Sequence, residues 1–286
     1  LFHFPEETMS ISVAYQGERG AFSEAAAVRL LGREIEPVPC ATFDDMFAAV
    51  DGNAADCCIA PIENSLAGSV HRNYDLLLES RLTIAGETHL RIVHNLIAAR
   101  NIPLSSIRRV YSHPVALAQC TRFLRAHPAM EAVPVHDTAG AVREVLERGR
   151  DDEAGIASAE AAGIYGGHIV SQGVEDHTQN YTRFLLLTPN DHHVETREST
   201  RRWKTSLVFR VPNKPGSLYR ALGAFAMFDL DLAKVESRPI EGRPWEYAFY
   251  VDVIGRETDA DLSRALDNLR HMSEMVRVLG SYRTRW

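Results

Sequence analysis

The residues whose types and spacing could do chemistry lie at positions 180–184, the run Asn-Tyr-Thr-Arg-Phe. Thr182 is a hydroxyl donor beside the permanent cation of Arg183, and the apolar residues 185–187 that follow indicate a buried strand. Such a pair could hold a small anion while the hydroxyl contacts a leaving oxygen atom. The alternative is a threonine at a strand edge next to a solvated arginine, so the motif needs support from other segments.

Several other segments place polar or glycine residues between a predicted strand and a predicted helix. At the carboxyl ends of the strands of an open α/β sheet, free N–H groups and helix dipoles favour an anion. Each dipole contact contributes about 0.3–1 kcal/mol, so several must converge to hold a dianion. The candidate residues in these segments are Ser23, Glu63, Asn64, Ser65, Ser112, His113 and Thr138.

The same segments allow purely structural interpretations. Gly17 and Gly20 could form a plain tight turn. Ser112 or Thr138 could be a helix N-cap, a role that stabilises a protein by about 1 kcal/mol. His113, before a proline, could be a packed or solvated histidine. No one of these segments is specific by itself.

The composition is that of a globular protein long enough for two cores, with 286 residues, 45% hydrophobic content and a formal net charge of −7. No basic stripe is present, which argues against a nucleic-acid partner. The cysteines lack C-x-x-C spacing and indicate a reducing compartment. The histidines are scattered without an H-E-x-x-H motif, so a metal site has no support. Without a long apolar run or a signal-peptide pattern, we expect a cytoplasmic protein and no membrane partner.

The first part of the chain, residues 10–188, alternates predicted strands and helices, which favours an α/β domain with largely parallel strands. A capping box at Thr42 and Asp45 begins a helix with Phe43, Phe47 and Val50 on its apolar face. We predict strands at residues 11–15, 57–62, 108–111, 132–136 and 154–157, and helices at about 21–31 and 70–80 and from about residues 112, 138 and 158.

The last part of the chain has a different pattern. Residues 189–203 are polar and charged and predict a linker. Residues 204–286 then predict the order βαββαβ, the ferredoxin-like split unit, with strands at 205–211, 230–237, 247–254 and 275–282. Residues 1–8 are set aside from the fold prediction.

Taken in order, these segments resemble prephenate dehydratase followed by an ACT domain. The dehydratase resemblance rests on residues 15–23, 61–70, 112–114, 119–120, 137–139 and 180–184, and the ACT resemblance on residues 215–218 and 236–239. It covers about residues 11–283. Ser217 departs from the alanine that is frequent in the family, a small change that leaves the predicted turn intact.

The resemblance implies a two-lobed catalytic domain of the type II periplasmic-binding-protein class at 10–188, with the active site between its lobes. It implies conversion of prephenate to phenylpyruvate, carbon dioxide and water, in phenylalanine biosynthesis and without a cofactor. Aromatisation of the ring drives this reaction, so the protein needs only to hold the dianion and assist departure of the hydroxyl.

The resemblance makes Thr182 the essential residue, with Arg183 beside the anion. A threonine hydroxyl is a poor acid, so we expect Glu63 or His113 to supply the proton behind it. Glu63 is favoured because it directly follows the apolar residues 57–62, where a carboxylate needs partners. Residues expected to orient substrate or line its pocket are Ser23, Asn64, Ser65, Ser112, Gln119, Thr138, Asn180 and Phe184.

In the tail, the resemblance implies an L-phenylalanine site between two ACT domains, and therefore a homodimer or homotetramer. The structural alternative is a turn into a helix and a strand end with an exposed ion pair. The effector residues implied are Asn213, Pro215, Gly216, Ser217, Leu218, Glu236, Ser237 and Arg238.

Other functions stay open at this stage. Arogenate dehydratase does the same chemistry on the transaminated substrate, and residues 69–75 look similar to plant members that use arogenate. Prephenate is favoured because no transit-like leader is present. A non-catalytic amino-acid sensor would have no need of Thr182, and an exported solute receptor would need a signal peptide.

Overall fold

The structure, a computed structural model, describes residues 10–32, 34–189, 194, 196–197 and 202–285. Residues 1–8 and most of the predicted linker at 189–203 lie outside the described residues. The chain forms two compact units, Leu1–Ser69 with His89–Phe184, and Val70–Thr88 with Leu185–Trp286. The domain boundaries given above stay predictions. No helix in the described ranges is long and apolar enough to cross a membrane.

The first sheet has the strand order β2-β1-β3-β11-β5, with the short strand β4 paired to β3. Its strands β5 and β11 each have residues in both units. The strands are β1 (Ile11–Gln16), β2 (Ile35–Cys40), β3 (Cys57–Asn64), β4 (Gly68–Ser69), β5 (Thr83–Arg91) and β11 (Tyr181–Thr188), and the helices are α1 (Phe22–Leu31), α2 (Phe43–Asp51) and α3 (His71–Glu79).

Helix α2 shows both the strength and the limit of the sequence pattern. The capping box is present, since the Thr42 side chain accepts from the Asp45 N–H and the Asp45 carboxylate accepts from the Thr42 N–H. Met46, Phe47 and Val50 are its buried residues, whereas Phe43, predicted on the apolar face, is only half-buried. The predicted capping box is therefore confirmed, whereas the buried face of the helix contains Met46 in place of the predicted Phe43.

The second sheet has the order β10-β6-β9-β7-β8. Strand β7 is parallel to β8 and β9, but β6 is antiparallel to β9 and β10, so the prediction of largely parallel strands holds only in part. The elements are β6 (Asn95–Ala98), β7 (Arg109–Ser112), α4 (Pro114–Ala118), α5 (Thr121–Ala126), β8 (Glu131–Pro134), α6 (Thr138–Arg148), β9 (Glu153–Ala157), α7 (Ala159–Tyr165) and β10 (His168–Ser171), with a 3-10 turn at Leu104–Ser106.

The chain thus builds the first sheet, crosses to the second with β6, and returns to the first with β11. This double crossing is the two-lobed arrangement that the resemblance implies. It brings the start of β11, where Thr182 lies, beside the carboxyl end of β3, where Asn64 lies.

The tail has the predicted order βαββαβ, and its sheet is β13-β14-β12-β15. Both helices pack on one face of this sheet, around buried residues that include Phe209, Phe225 and Leu266. The elements are β12 (Arg202–Arg210), α8 (Ser217–Ala226), β13 (Leu232–Ile240), β14 (Arg243–Ile254), α9 (Ala260–Met272) and β15 (Met275–Thr284).

Candidate active site

Residues 180–184 enter β11 in a buried environment. Asn180 is fully buried, Thr182 and Arg183 are each 8% exposed, and Phe184 is 2% exposed. The alternative of a solvated arginine at a strand edge is therefore wrong. Phe184 is likewise buried rather than at an open surface.

The loop after β3 fixes the orientation of the Asn64 amide. Its Oδ1 accepts hydrogen bonds from the backbone N–H groups of Leu66 (3.0 Å) and Ala67 (2.8 Å). Because a backbone N–H can only donate, this atom must be the oxygen. The Asn64 Nδ2 group then donates to Thr182 Oγ1 (2.9 Å) and to Asn180 Oδ1 (2.8 Å).

Gln119, from the end of α4, closes a ring with these amides. The Asn180 Nδ2 group donates to Gln119 Oε1 (2.8 Å), and the Gln119 Nε2 group donates to Asn64 Oδ1 (3.3 Å). Asn64 is the last residue of β3 and Asn180 directly precedes β11, both in the first sheet. Gln119 directly follows α4, which lies between strands β7 and β8 of the second sheet. The structure therefore brings together residues that the sequence separates by more than fifty positions.

The ring sets the direction of the Thr182 hydroxyl. Since Asn64 Nδ2 donates to Thr182 Oγ1, one lone pair of that oxygen is used and its hydrogen must point away from Asn64. Thr182 is thereby arranged as a donor. This is the state required of a group that hydrogen-bonds a departing oxygen atom.

Ser65 has a different position from the one expected of a substrate ligand. Its Oγ donates to the Gln179 carbonyl (3.0 Å) and accepts from the Tyr181 N–H (3.0 Å). Its own N–H donates to the Tyr181 carbonyl (2.8 Å). Ser65 thus joins the loop after β3 to the segment that carries Thr182.

Two of the predicted helix caps are wrong. The α4 N-cap is His113, whose Nδ1 accepts from the Val115 N–H (3.2 Å), and Ser112 instead donates to the Ile156 carbonyl (2.6 Å) in a fully buried position. The α6 N-cap is Asp137, and Thr138 is the first residue of the helix. For α4 the capping residue is one position after the expected Ser112. For α6 it is one position before the expected Thr138.

His113 is held as an imidazole rather than an imidazolium. Burial is the main cause that lowers its pKa, and the nearby His136 adds to it. The Val115 hydrogen bond also requires a bare Nδ1, so Nε2 carries the hydrogen. Glu63 is half-buried on β3, opposite Ser69 in the β3–β4 pair.

Hydrogen bonds to the Glu24 carboxylate stabilise the loop before α1, the helix that contains Ser23. Glu24 accepts from the Tyr15 hydroxyl (3.0 Å), the Gly20 N–H (2.6 Å) and Arg19 Nε (2.9 Å). Gly20 has φ +84°, and a Cβ there would lie 2.7 Å from the Ala161 Cα, so only glycine fits. Ser23 itself is buried at the start of α1.

Sequence reasoning missed His94, which lies at the far side of the amide ring. It is 2% exposed, and its Nε2 is 2.9 Å from Gln119 Oε1. Phe22 packs edge-on against its ring, with centroids 5.5 Å apart. The sequence gives no sign that this histidine, one of twelve, is buried. Its contact with Gln119, a residue predicted to orient substrate, is seen only in the structure.

In the tail, the residues predicted to bind an effector fall into two sets. Gly216 has φ +80° and is the N-cap of α8, at the end of the exposed turn 213–216. Arg238 on β13 makes two hydrogen bonds to the Asp75 carboxylate of α3 (3.2 and 2.8 Å), and Glu236 lies 3.7 Å from His71. Arg238 therefore forms its ion pair with Asp75 of α3, and this pair is partly buried rather than exposed. Ser237 alternates with these residues and is exposed.

Within the described ranges, no group of three or more His, Cys, Asp or Glu residues is placed to hold a metal ion. The cysteines are free thiols, and burial raises the pKa of Cys57 and of Cys120 to about 12.

Comparison with known proteins decides the family. A family model described as prephenate dehydratase matches residues 13–192, and one described as ACT domain matches residues 205–271. The chain belongs to the prephenate dehydratase family. The match to the prephenate dehydratase model includes every residue of the amide ring and Thr182.

Similar proteins cover nearly the whole chain. Arogenate dehydratase/prephenate dehydratase 2 of Arabidopsis thaliana is 42% identical over 95% of this chain and 72% of its own length. A prephenate dehydratase from Arthrobacter aurescens, solved in complex with L-Phe, is 31% identical and covers 96% of this chain and 90% of its own, with a TM-score of 0.86. A solved structure named GqqA, a quorum quenching acylase, is 36% identical with a TM-score of 0.83, covering 95% and 97%.

Proposed function

We propose that this protein converts prephenate to phenylpyruvate, carbon dioxide and water, with the Thr182 hydroxyl as hydrogen-bond donor to the departing ring hydroxyl. The observation that carries this proposal is the Asn64–Thr182 hydrogen bond, which makes Thr182 a donor at the start of a buried strand. Membership of the prephenate dehydratase family supplies the reaction class.

The chemistry needs little beyond this arrangement. Loss of the ring carboxylate as carbon dioxide leaves an electron pair that moves through the ring and expels the hydroxyl group. The hydroxyl takes up a proton as it leaves and departs as water, while the ring becomes aromatic. We assign Arg183, which is 8% exposed, to the attraction of a substrate carboxylate, and Asn64, Gln119 and Asn180 to holding the donor in position.

We propose Glu63 as the source of the proton, because it is half-buried and directly precedes Asn64, whose amide contacts Thr182. Glu63→Gln should lower kcat about 100-fold, since general acid catalysis contributes roughly 10²–10⁴-fold. The matched control is Glu160→Gln, an exposed carboxylate in the first turn of α7. A Glu63→Gln variant whose kcat equals the parent's would exclude the acid role.

The direct test of the function is an assay of the purified protein with prephenate and, separately, with arogenate. The aromatic product is followed by its ultraviolet absorbance. Prephenate is expected to be turned over, and no turnover of either substrate would reject the proposal. Arogenate is the second candidate because the plant relative that is 42% identical carries both names. The ratio of kcat/KM for the two substrates assigns the preference.

We also assign inhibition by L-phenylalanine to the tail, through the turn at 213–218 and the strand end at 236–238. The Arthrobacter relative bound to L-Phe supports this assignment. A site shared by two ACT domains requires a homodimer or homotetramer. The free thiols are compatible with a reducing cytoplasm, where we place the reaction.

Arg238→Gln should weaken the inhibition. It removes the guanidinium that bonds Asp75 and that lies on the proposed effector strand. The phenylalanine concentration for half inhibition should rise about 10-fold or more, equal to roughly 1.4 kcal/mol of binding. Basal kcat should stay within about 2-fold. Arg243→Gln, which alters an exposed pair with Glu246 in the same domain, should leave the inhibition curve in place. Equal curves for both variants would remove Arg238 from the effector site.

A further inference from the structure

We infer that His94 is a positioning residue for this reaction: its Nε2–H holds the Gln119 amide in the one orientation that lets the ring direct the Thr182 hydroxyl. This inference rests on the proposed function of Thr182. His94 is not among the residues that the sequence motifs indicated.

The orientations of the ring amides follow one from another, starting at Asn64. Backbone N–H groups of Leu66 and Ala67 fix Asn64 Oδ1 as an oxygen, so Asn64 Nδ2 must donate to Asn180 Oδ1. Asn180 therefore presents its Nδ2 to Gln119, and the atom that accepts there is Gln119 Oε1. The orientation of each amide follows from the preceding one, without any assumption about His94.

The same chain of donors then fixes the His94 tautomer. Gln119 Oε1 can only accept, and it lies 2.9 Å from His94 Nε2, so the hydrogen must be on Nε2. His94 Nδ1 is buried and has no hydrogen-bond partner within the part of the chain that the structure describes. A bare nitrogen is better tolerated there than an N–H group, because an unpaired buried N–H is among the rarest of polar defects. Burial also lowers the pKa of His94, against smaller opposing effects of Gln119 and Glu175.

The position of His94 is itself fixed. Its backbone N–H donates to Glu175 Oε2 (2.9 Å), its backbone carbonyl accepts from the Val174 N–H (2.9 Å), and Phe22 packs against the ring. Gln119 is the only member of the amide ring held on a flexible three-carbon side chain. Without a donor at His94, Gln119 could rotate and turn its oxygen toward Asn64 Oδ1, which would break two hydrogen bonds of the ring at once.

Two substitutions test this role against a merely structural one. His94→Gln keeps an amide N–H close to the position of Nε2, whereas His94→Leu keeps the volume and removes the donor. His94→Leu should lower kcat about 10-fold, the effect of one hydrogen bond of roughly 1.4 kcal/mol, with KM changed by less than about 3-fold. His94→Gln should keep at least about a third of the parent kcat. Equal kcat for the two variants, whether both normal or both low, would overturn the inference.

Nitrogen-15 NMR of histidine-labelled wild-type protein provides a measurement that does not need an active enzyme. The His94 signals, identified by their loss in His94→Gln, should show a protonated Nε2 and a bare Nδ1 at neutral pH. A protonated Nδ1 would contradict the inference. If the enzyme turns over neither substrate but the tautomer is as expected, the proposed function fails while the geometry of the ring stands.

Discussion

Thr182→Val is expected to lower kcat by about 10²–10⁴-fold, the range in which removal of one transition-state donor or proton carrier falls. Valine has the shape of threonine, so the strand and its buried neighbours are kept. The hydroxyl contacts the leaving oxygen in the transition state rather than anchoring a carboxylate, so KM should change little. Steady-state kinetics with prephenate measure both quantities.

Thr182→Ser is the matched control for this substitution. Serine keeps the hydroxyl and its acceptor lone pair for Asn64 Nδ2, so kcat should stay within about 10-fold of the parent. If serine reduces kcat as much as valine does, keeping the hydroxyl does not keep the activity, and the donor role assigned to Thr182 is wrong. A rise in KM with unchanged kcat would instead make Thr182 a ground-state binding residue.

Lys204→Met is expected to destabilise the second unit by about 3–5 kcal/mol, the cost of removing one partner of a buried ion pair. The Lys204 ammonium lies 2.7 Å from Glu87 Oε1, with the two side chains 4% and 1% exposed. Thr284 also hydrogen-bonds to the same carboxylate oxygen. Urea unfolding followed by tryptophan fluorescence measures the effect, because Trp203 and Trp245 belong to this unit.

The double variant Lys204→Met with Glu87→Gln separates pair loss from packing loss. Glutamine carries no charge to leave unpaired and still accepts from Thr284, so about half or more of the lost stability should return. Arg270→Met, which removes an exposed partner of Asp267, is the surface control and should cost less than about 1 kcal/mol. A Lys204→Met variant as stable as the Arg270→Met variant would show that the pair contributes little.

Short-range signals in the sequence predicted much of the fold. The capping box at Thr42 and Asp45 and the βαββαβ order of the tail are present in the structure, because both depend on residues close in the chain. Strand β2 was missed, since Pro37 and Pro39 argue against a strand. It is an edge strand paired only with β1, where proline is tolerated because one side of the strand needs no donors.

The candidate site was predictable where a motif carried it and not where the contact was long-range. Asn64, Gln119 and Asn180 were each expected to contact substrate, but the ring they form depends on the crossing of the chain between two sheets. The hydroxyls of Ser65 and Ser112 looked available in the sequence, yet both donate to backbone carbonyl groups. A hydroxyl residue in a motif does not show whether its hydrogen bonds are already used.

The most direct test of the donor role of Thr182 is a crystal structure with a stable analogue of prephenate. The analogue keeps the ring hydroxyl and cannot lose carbon dioxide. We predict Thr182 Oγ1 within about 3 Å of the analogue's ring oxygen, with the Asn64 hydrogen bond to Thr182 still in place. A bound analogue whose ring hydroxyl lies beyond hydrogen-bond distance of Thr182, and meets another donor instead, would contradict it.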